Sequence, residues 1–294
     1  MIRLLVILFA LTFFAAPTHS QPFELRYRLK DGQEYKFKQV EATTALAQAN
    51  DGRGTSIDRR ITRYFTITVE KSGIEEISYL FVQDTAIVSE NSEDAAMQRQ
   101  HIDIQNVLTK KRVRVRQSNS GKLLSVTAVD PLDVQQRFGP GVTDAMFTQR
   151  AAMLPALPTR PVEPGMVWND SRRDTLYPTK DMPGVGRGSG LRLTANTTEY
   201  TIKDFDERQG LRCLGVNWKG NSELEEKIVY DNLEEFTEDA STVTGELFLA
   251  TDTGLPVFLD VTTEQENTRA VFGERNNVIP SSIRTHTTLE LFSQ

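Results

Sequence analysis

Chemistry would first be sought at three histidines, one cysteine and a glycine run in this chain of 294 residues. His19 falls in a leader-like N-terminus, which leaves His101 and His286, far apart and without a neighbouring cysteine. A zinc centre needs three or four ligands in register, and a nucleophile–histidine pair needs a Ser, Thr or Cys brought to the imidazole. No GxSxG elbow occurs. Cys213 sits in the apolar run Leu211-Arg212-Cys213-Leu214-Gly215-Val216 and reads as a small core residue. A reactive thiol needs an electropositive, partly exposed setting. The run GVGRGSG (Gly184, Gly186, Gly188, Gly190) lacks the preceding strand and following helix of a phosphate loop, so a flexible loop is predicted.

Two charge runs complete the inventory. Glu223, Glu225, Glu226, Asp231, Glu234, Glu235, Glu238 and Asp239 lack the spacing of a calcium loop and read as a solvated strand-and-loop face. Lys110, Lys111, Arg112, Arg114 and Arg116 offer charge for a polyanion, but alternation with Val113 and Val115 predicts the wet face of a half-buried strand. No catalytic residue, cofactor-binding residue or metal ligand is therefore expected, and an enzyme is not expected.

Composition bounds the rest. A formal net charge of −6 disfavours nucleic acid as a partner. Residues 1–20 read as a secretory signal peptide: Arg3, an apolar run from Leu4 to Ala16, then Pro17, Thr18 and Ser20. That run is too short to span a bilayer. The expectation is an exported protein, periplasmic or extracellular and bacterial, that does not span the membrane once the leader is cut. A single cysteine permits no internal disulfide, and a chain of this length can build a core without one.

The elements that would position any site are strands. Phe23, Leu25, Tyr27 and Leu29 alternate with charged residues and predict a strand that pairs back through Asp31-Gly32 to Tyr35 and Phe37. Residues 42–60 contain a polar section read as a long hairpin loop. Further hairpins are predicted at Gly73 and Gly121, with a short helix at 92–100 capped by Ser92. Asp130-Pro131 opens a helical connection. Its second helix, from about Thr143 to Met153, carries Phe147, Ala151 and Leu154 on one stripe and stops at Pro155.

After the connection the pattern returns. Gly165 follows Gly32 by 133 residues, Gly210 follows Gly73 by 137 and Gly254 follows Gly121 by 133. The fold class predicted is mainly β: an antiparallel meander in one or two sheets, made of two duplicated halves, with short helices on one face. The boundaries are 1–20 for the leader, 21–130 for the first half, 131–156 for the helical connection and 157–294 for the second half. The stretch Leu157–Trp168, LPTRPVEPGMVW, joins them. Its prolines predict an extended connector, with Trp168 anchoring the core at the start of a strand.

That stretch, LPxxPVxxGxxW, is similar to a family of exported bacterial proteins of unknown function. The opening Leu25-Arg26-Tyr27-Arg28-Leu29-Lys30-Asp31-Gly32-Gln33-Glu34-Tyr35 resembles the family's start. The resemblance implies no catalytic residues. A more remote likeness, to bacterial lipoprotein carriers, implies a curved sheet that holds acyl chains. The function expected is binding of an apolar or amphipathic ligand, such as lipid, in the bacterial envelope. The alternative is a structural or protein-interaction module that meets another envelope protein.

Overall fold

The computed structural model describes residues 22, 24–48, 54–91, 95–139, 142–182, 186–273 and 276–293. The leader expected at 1–20, Phe23, Ser92 and Gly184 lie outside the described residues. One antiparallel sheet spans both halves of the chain. Its strands are β1 (Glu34–Gln48), β2 (Gly54–Ser72), β3 (Glu76–Glu90), β4 (Arg112–Ser118), β5 (Leu123–Ala128), β6 (Val167–Leu176), β7 (Thr179–Met182), β8 (Gly186–Arg208), β9 (Leu211–Val229), β10 (Glu234–Ala250), β11 (Pro256–Phe272) and β12 (Asn277–Ser293). The spatial order is β5-β4-β3-β2-β1-β12-β11-β10-β9-β8-β6, with β7 also on β8. Each half is a meander, and β12 returns to pair with β1 and close the two into one sheet.

Alternation writes the strands and chooses their faces. In β4, Val113, Val115 and Gln117 point inward while Arg112, Arg114 and Arg116 point to solvent. The three arginines are neutralised by Asp130, Glu70 and Glu76, at 2.7, 2.7 and 2.6 Å. The inner face of the first half carries Tyr35, Phe37, Phe65, Ile67, Tyr79 and Phe81, all buried. The Phe37 and Phe65 rings stack at 5.3 Å, and burial of each such side chain is worth roughly 1.5–3 kcal/mol.

What covers this face differs from the prediction in detail. The segment 24–30 forms no ladder with β1; Leu25, Tyr27 and Leu29 are buried, and the backbone bonds instead to Asn119 and Thr253. The period of two set the burial, but the end of the sheet was a better partner than a hairpin. Within 42–60 the strands run further than expected, with β1 and β2 in register from Glu34↔Thr68 to Gln48↔Gly54, so Gln48 and 54–56 of the section expected as a long loop are strand; its remaining residues, 49–53, lie outside the described residues. Polar residues sit comfortably there because the far ends of the strands face water. The helix expected at 92–100 is α1 (Ala95–Asn106). The connection is less helical than predicted: α2 (Val134–Phe138), α3 (Ala145–Thr148) and a 3-10 turn at Gln149–Ala151. Contacts with the core hold this backbone, and the stripe Phe147, Ala151 and Leu154 is buried as expected.

Three hydrogen bonds pin the connector to the sheet. Tyr79 donates its hydroxyl to the Ala151 carbonyl at 3.2 Å, Gln117 its side-chain amide to the Leu154 carbonyl at 2.9 Å, and Tyr27 its hydroxyl to the Pro155 carbonyl at 2.7 Å. Equivalent turns recur across the halves. Gly32 N–H bonds to the Val69 carbonyl and Gly165 N–H to the Ile202 carbonyl; Val69 N–H returns to Gln33 and Ile202 N–H to Met166. Both glycines have positive φ, as do Gly121 and Gly254; Gly210 does too, but its partner Gly73 does not.

Candidate functional site

The second half leaves part of its inner face uncovered by side chains, and this creates a cleft of about 590 Å3. Its floor follows from strand register. Trp168 of β6 stands opposite Tyr200 of β8, Tyr200 opposite Trp218 of β9, Trp218 opposite Gly245 of β10, and Gly245 opposite Val261 of β11. One row nearer the core come Val216, Leu247, Leu259 and Leu289, paired in that order. The roof is the connector, through Met153, Pro155, Ala156, Leu157 and Pro158.

Aromatic geometry shapes the floor. Trp168 and Tyr200 stack at 4.9 Å with 12° between planes. The Arg160 guanidinium lies 5.2 Å from the centre of the Trp168 ring. Trp218 lies across β10 because position 245 has no side chain. Burial, then the nearby Asp170, raise the pKa of the Tyr200 hydroxyl, so it stays protonated at neutral pH. Trp168 was expected as a core anchor. It packs against the core but is only half-buried, and it forms one end of the cleft floor, because among the described residues β6 pairs only with β8.

Beside the cleft the inner face of the first half becomes charged. Gln39 pairs with Leu289, and Arg63 with Gln39. Arg63 donates to Gln39, Glu41 and Gln105, which ties α1 to the sheet. Arg150 donates to the Ile104 carbonyl at 3.2 Å and to Gln105 at 3.4 Å, and lies over Phe147. Arg59 stands opposite both Thr43 and Glu90. Glu90, its side chain 2% exposed, turns to His101 at 2.6 Å. Arg59 Nε and Glu90 Oε1 are buried without hydrogen-bond partners.

The residues singled out in the sequence are scattered. His101 is on α1 with Glu90, while His286 is on the outer face with Asp260 at 3.0 Å. Cys213 is buried, and burial pushes its thiol up to about 11. No group of three His, Cys, Asp or Glu suited to a metal occurs among the described residues. The glycine run is not a loop from Gly186 onward: it opens β8. A Cβ at Gly190 would fall 1.8 Å from the Lys227 carbonyl oxygen, and one at Gly188 2.6 Å from the Tyr230 ring, so these glycines permit close strand packing. The acidic run is not wholly solvated. Glu226 and Glu235 are buried and bound by Arg192 and Arg269, because the β9–β10 hairpin turns them to the inner face. Tyr200, Trp218, Gly245, Arg59 and Arg150 were not singled out from sequence. The only signal was that Trp218 is one of two tryptophans.

A larger depression of about 640 Å3 at the far ends of β1, β2, β11 and β12 is lined mainly by small and polar residues such as Thr55, Ser56, Asn267 and Ser281. Among the described residues no helix is long and apolar enough to cross a membrane.

No family model matches the chain. No curated protein matches it. Among solved structures it is similar to Salmonella typhi OmpF in complex with daunomycin, at 6% identity and a TM-score of 0.25, over 86% of this chain and 97% of the other. Acinetobacter baumannii OccAB4 gives 6% identity and a TM-score of 0.24 over 90% and 99% of the two chains. Pseudomonas aeruginosa OccK9 gives 5% and 0.21 over 90% and 100%. At these scores the likeness carries no argument.

Proposed function

We propose that this protein binds an apolar or amphipathic ligand, without chemical conversion, in the cleft between the connector and the inner face of β6 and β8–β12. The observation that carries the reading is the lining. Fifteen of the seventeen residues around the cleft are aliphatic, aromatic or proline, and the exceptions, Asn169 and Asp170, sit on the edge strand. Small-molecule sites have this volume and this balance of apolar wall to few polar groups. The leader-like residues 1–20 support placing the protein outside the cytoplasm, in a bacterial envelope. The matching turns at Gly32 and Gly165, and the positive φ shared by Gly121 and Gly254, support reading the two halves as copies of one meander.

A protein-interaction module would use a free sheet edge. Among the described residues β6 pairs only with β8, but it carries Asp170, Arg172, Arg173 and Asp174. Charges on an edge strand oppose further pairing, which favours the ligand reading. The test is organic extraction of protein purified from its envelope, with mass spectrometry of the extract, beside a Gly245→Leu variant that crowds the floor. Co-purified lipid in the native protein, and its loss in the variant, is the expected result. Protein that is free of lipid and takes up no apolar probe would overturn the reading.

A further inference from the structure

The inner face does not end at the cleft. Two strands beyond Leu289 it meets a charged interior, and among the described residues the charges there do not balance. Arg59, Arg63 and Arg150 face Glu41 and Glu90 beneath α1, with His101 at the margin. Glu41 is taken by Arg63 at 3.1 Å, and Glu90 by His101 at 2.6 Å. Among the described residues neither Arg59 nor Arg150 forms an ion pair, and Arg59 Nε is buried with no acceptor at all. A half-buried guanidinium without a carboxylate is costly. Its neighbours make it costlier: burial, then Arg63, hold Arg150 below the usual guanidinium range.

The site does not line the cleft itself, but two relations place it close by. Along the chain, Met153 of the cleft roof lies three residues after Arg150. Across the sheet, β2 is three strand spacings from β11, so Arg59 lies about 14 Å from Val261 in the hydrogen-bonding direction. That is the span of an extended acyl chain between an apolar site and a polar head. We infer that the cleft ligand is an anionic amphiphile, its apolar part on the Trp168–Tyr200–Trp218 floor and its carboxylate or phosphate head received by Arg59 and Arg150. This rests on the ligand-binding reading above. The head completes the hydrogen bonding of Arg59 and adds negative charge to that of Glu41, held by Arg63, and of Glu90, whose Oε2 is held by His101 and whose Oε1 has no partner among the described residues. A bidentate oxyanion fits the fork of a guanidinium, and removal from bulk water strengthens the pairing.

The chain's two tryptophans, Trp168 and Trp218, both line the cleft, so a brominated ligand that enters it quenches the whole tryptophan emission. Dibromostearate and dibromo-octadecanol share a chain and differ in the head. In titrations of delipidated protein both are expected to quench saturably, the acid with a Kd at least about tenfold lower. The double variant Arg59→Gln, Arg150→Gln is expected to raise the Kd of the acid to that of the alcohol and to leave the alcohol unchanged. If the double variant does not fold, the single variants Arg59→Gln and Arg150→Gln make the same comparison, each raising the Kd of the acid alone. Equal Kd values for acid and alcohol in the native protein would overturn the inference and leave the cleft reading intact, as would an acid indifferent to both arginines. Quenching by neither compound would overturn the cleft reading and the inference with it. Displacement of the acid by millimolar inorganic phosphate, with no binding of the alcohol, would assign a free oxyanion site instead and overturn the amphiphile.

Discussion

A Cβ at Gly245 would lie 2.2 Å from Cζ2 of Trp218, so the indole occupies the space that any other residue at 245 would need. The pair stands in register on β10 and β9. A glycine in the middle of a strand costs order and packing, and here the return is a flat aromatic floor.

Gly245→Ala is therefore predicted to turn Trp218 out of its position. Overpacking of this kind costs roughly 1–3 kcal/mol. The expected result is a lower Tm and a shifted tryptophan emission, because the indole is displaced into the cleft or towards solvent. An unchanged emission spectrum would show that the indole does not depend on Gly245.

The turn glycines separate strain from crowding. Gly32 and Gly121 both have positive φ, but nothing lies within 4 Å of a Cβ at Gly32, whereas one at Gly121 meets the Pro155 carbonyl oxygen at 2.2 Å. Gly32→Ala should cost only the backbone strain, of order 1–2 kcal/mol. Gly121→Ala should cost more, because the connector must also move. Urea denaturation of both variants checks the order, and equal losses would contradict it.

These pairs show what the sequence made legible. Alternation at Val113 and Val115 against Arg112, Arg114 and Arg116 was enough to place β4 and the outward arginines, since period two has one meaning on a half-buried sheet. Leu25, Tyr27 and Leu29 have the same period, and it assigned their burial but not their partner, which is settled by contacts with Asn119 and Thr253 far along the chain. The cleft was not legible. Trp168, Tyr200, Trp218 and Gly245 become neighbours only through the registers of three strand pairs. The arginine cluster was hidden for the same reason: Arg63 and Arg150 meet at Gln105 of α1, Arg59 shares the face of Arg63 on β2, and none has a distinctive sequence neighbour.

Acid should weaken the outer face of the first half in a defined window. Arg112 holds the Asp130 carboxyl at about 2, and Arg114 and Arg116 hold Glu70 and Glu76 below the usual range. Because the folded-state values are depressed, their contribution is complete above the unfolded carboxylate range, near about 4. It is lost as pH falls towards about 2. These pairs are exposed, so the effect is small and salt-sensitive. Thermal melts between these limits should show Asp130→Asn flattening part of the acid slope. An identical slope in the variant would contradict the assignment.

Tyr27 and Tyr79 hold the connector over the core by their hydroxyls. Tyr27→Phe keeps the ring and removes the bond to the Pro155 carbonyl, at a cost of about 0.5–1.5 kcal/mol. Pro155 lines the cleft roof, so the variant should also loosen ligand retention. Faster release of a bound probe, measured by stopped-flow fluorescence beside Tm, is the expected outcome. A fall in Tm with an unchanged release rate would confine Tyr27 to a structural part.

The most direct test of ligand binding uses the two tryptophans of the cleft as they stand. Titration of delipidated protein with a dibrominated eighteen-carbon amphiphile should quench most of the tryptophan emission and saturate near one equivalent. Quenching that is linear and unsaturated, no greater than for free tryptophan in the same solution, would contradict the account.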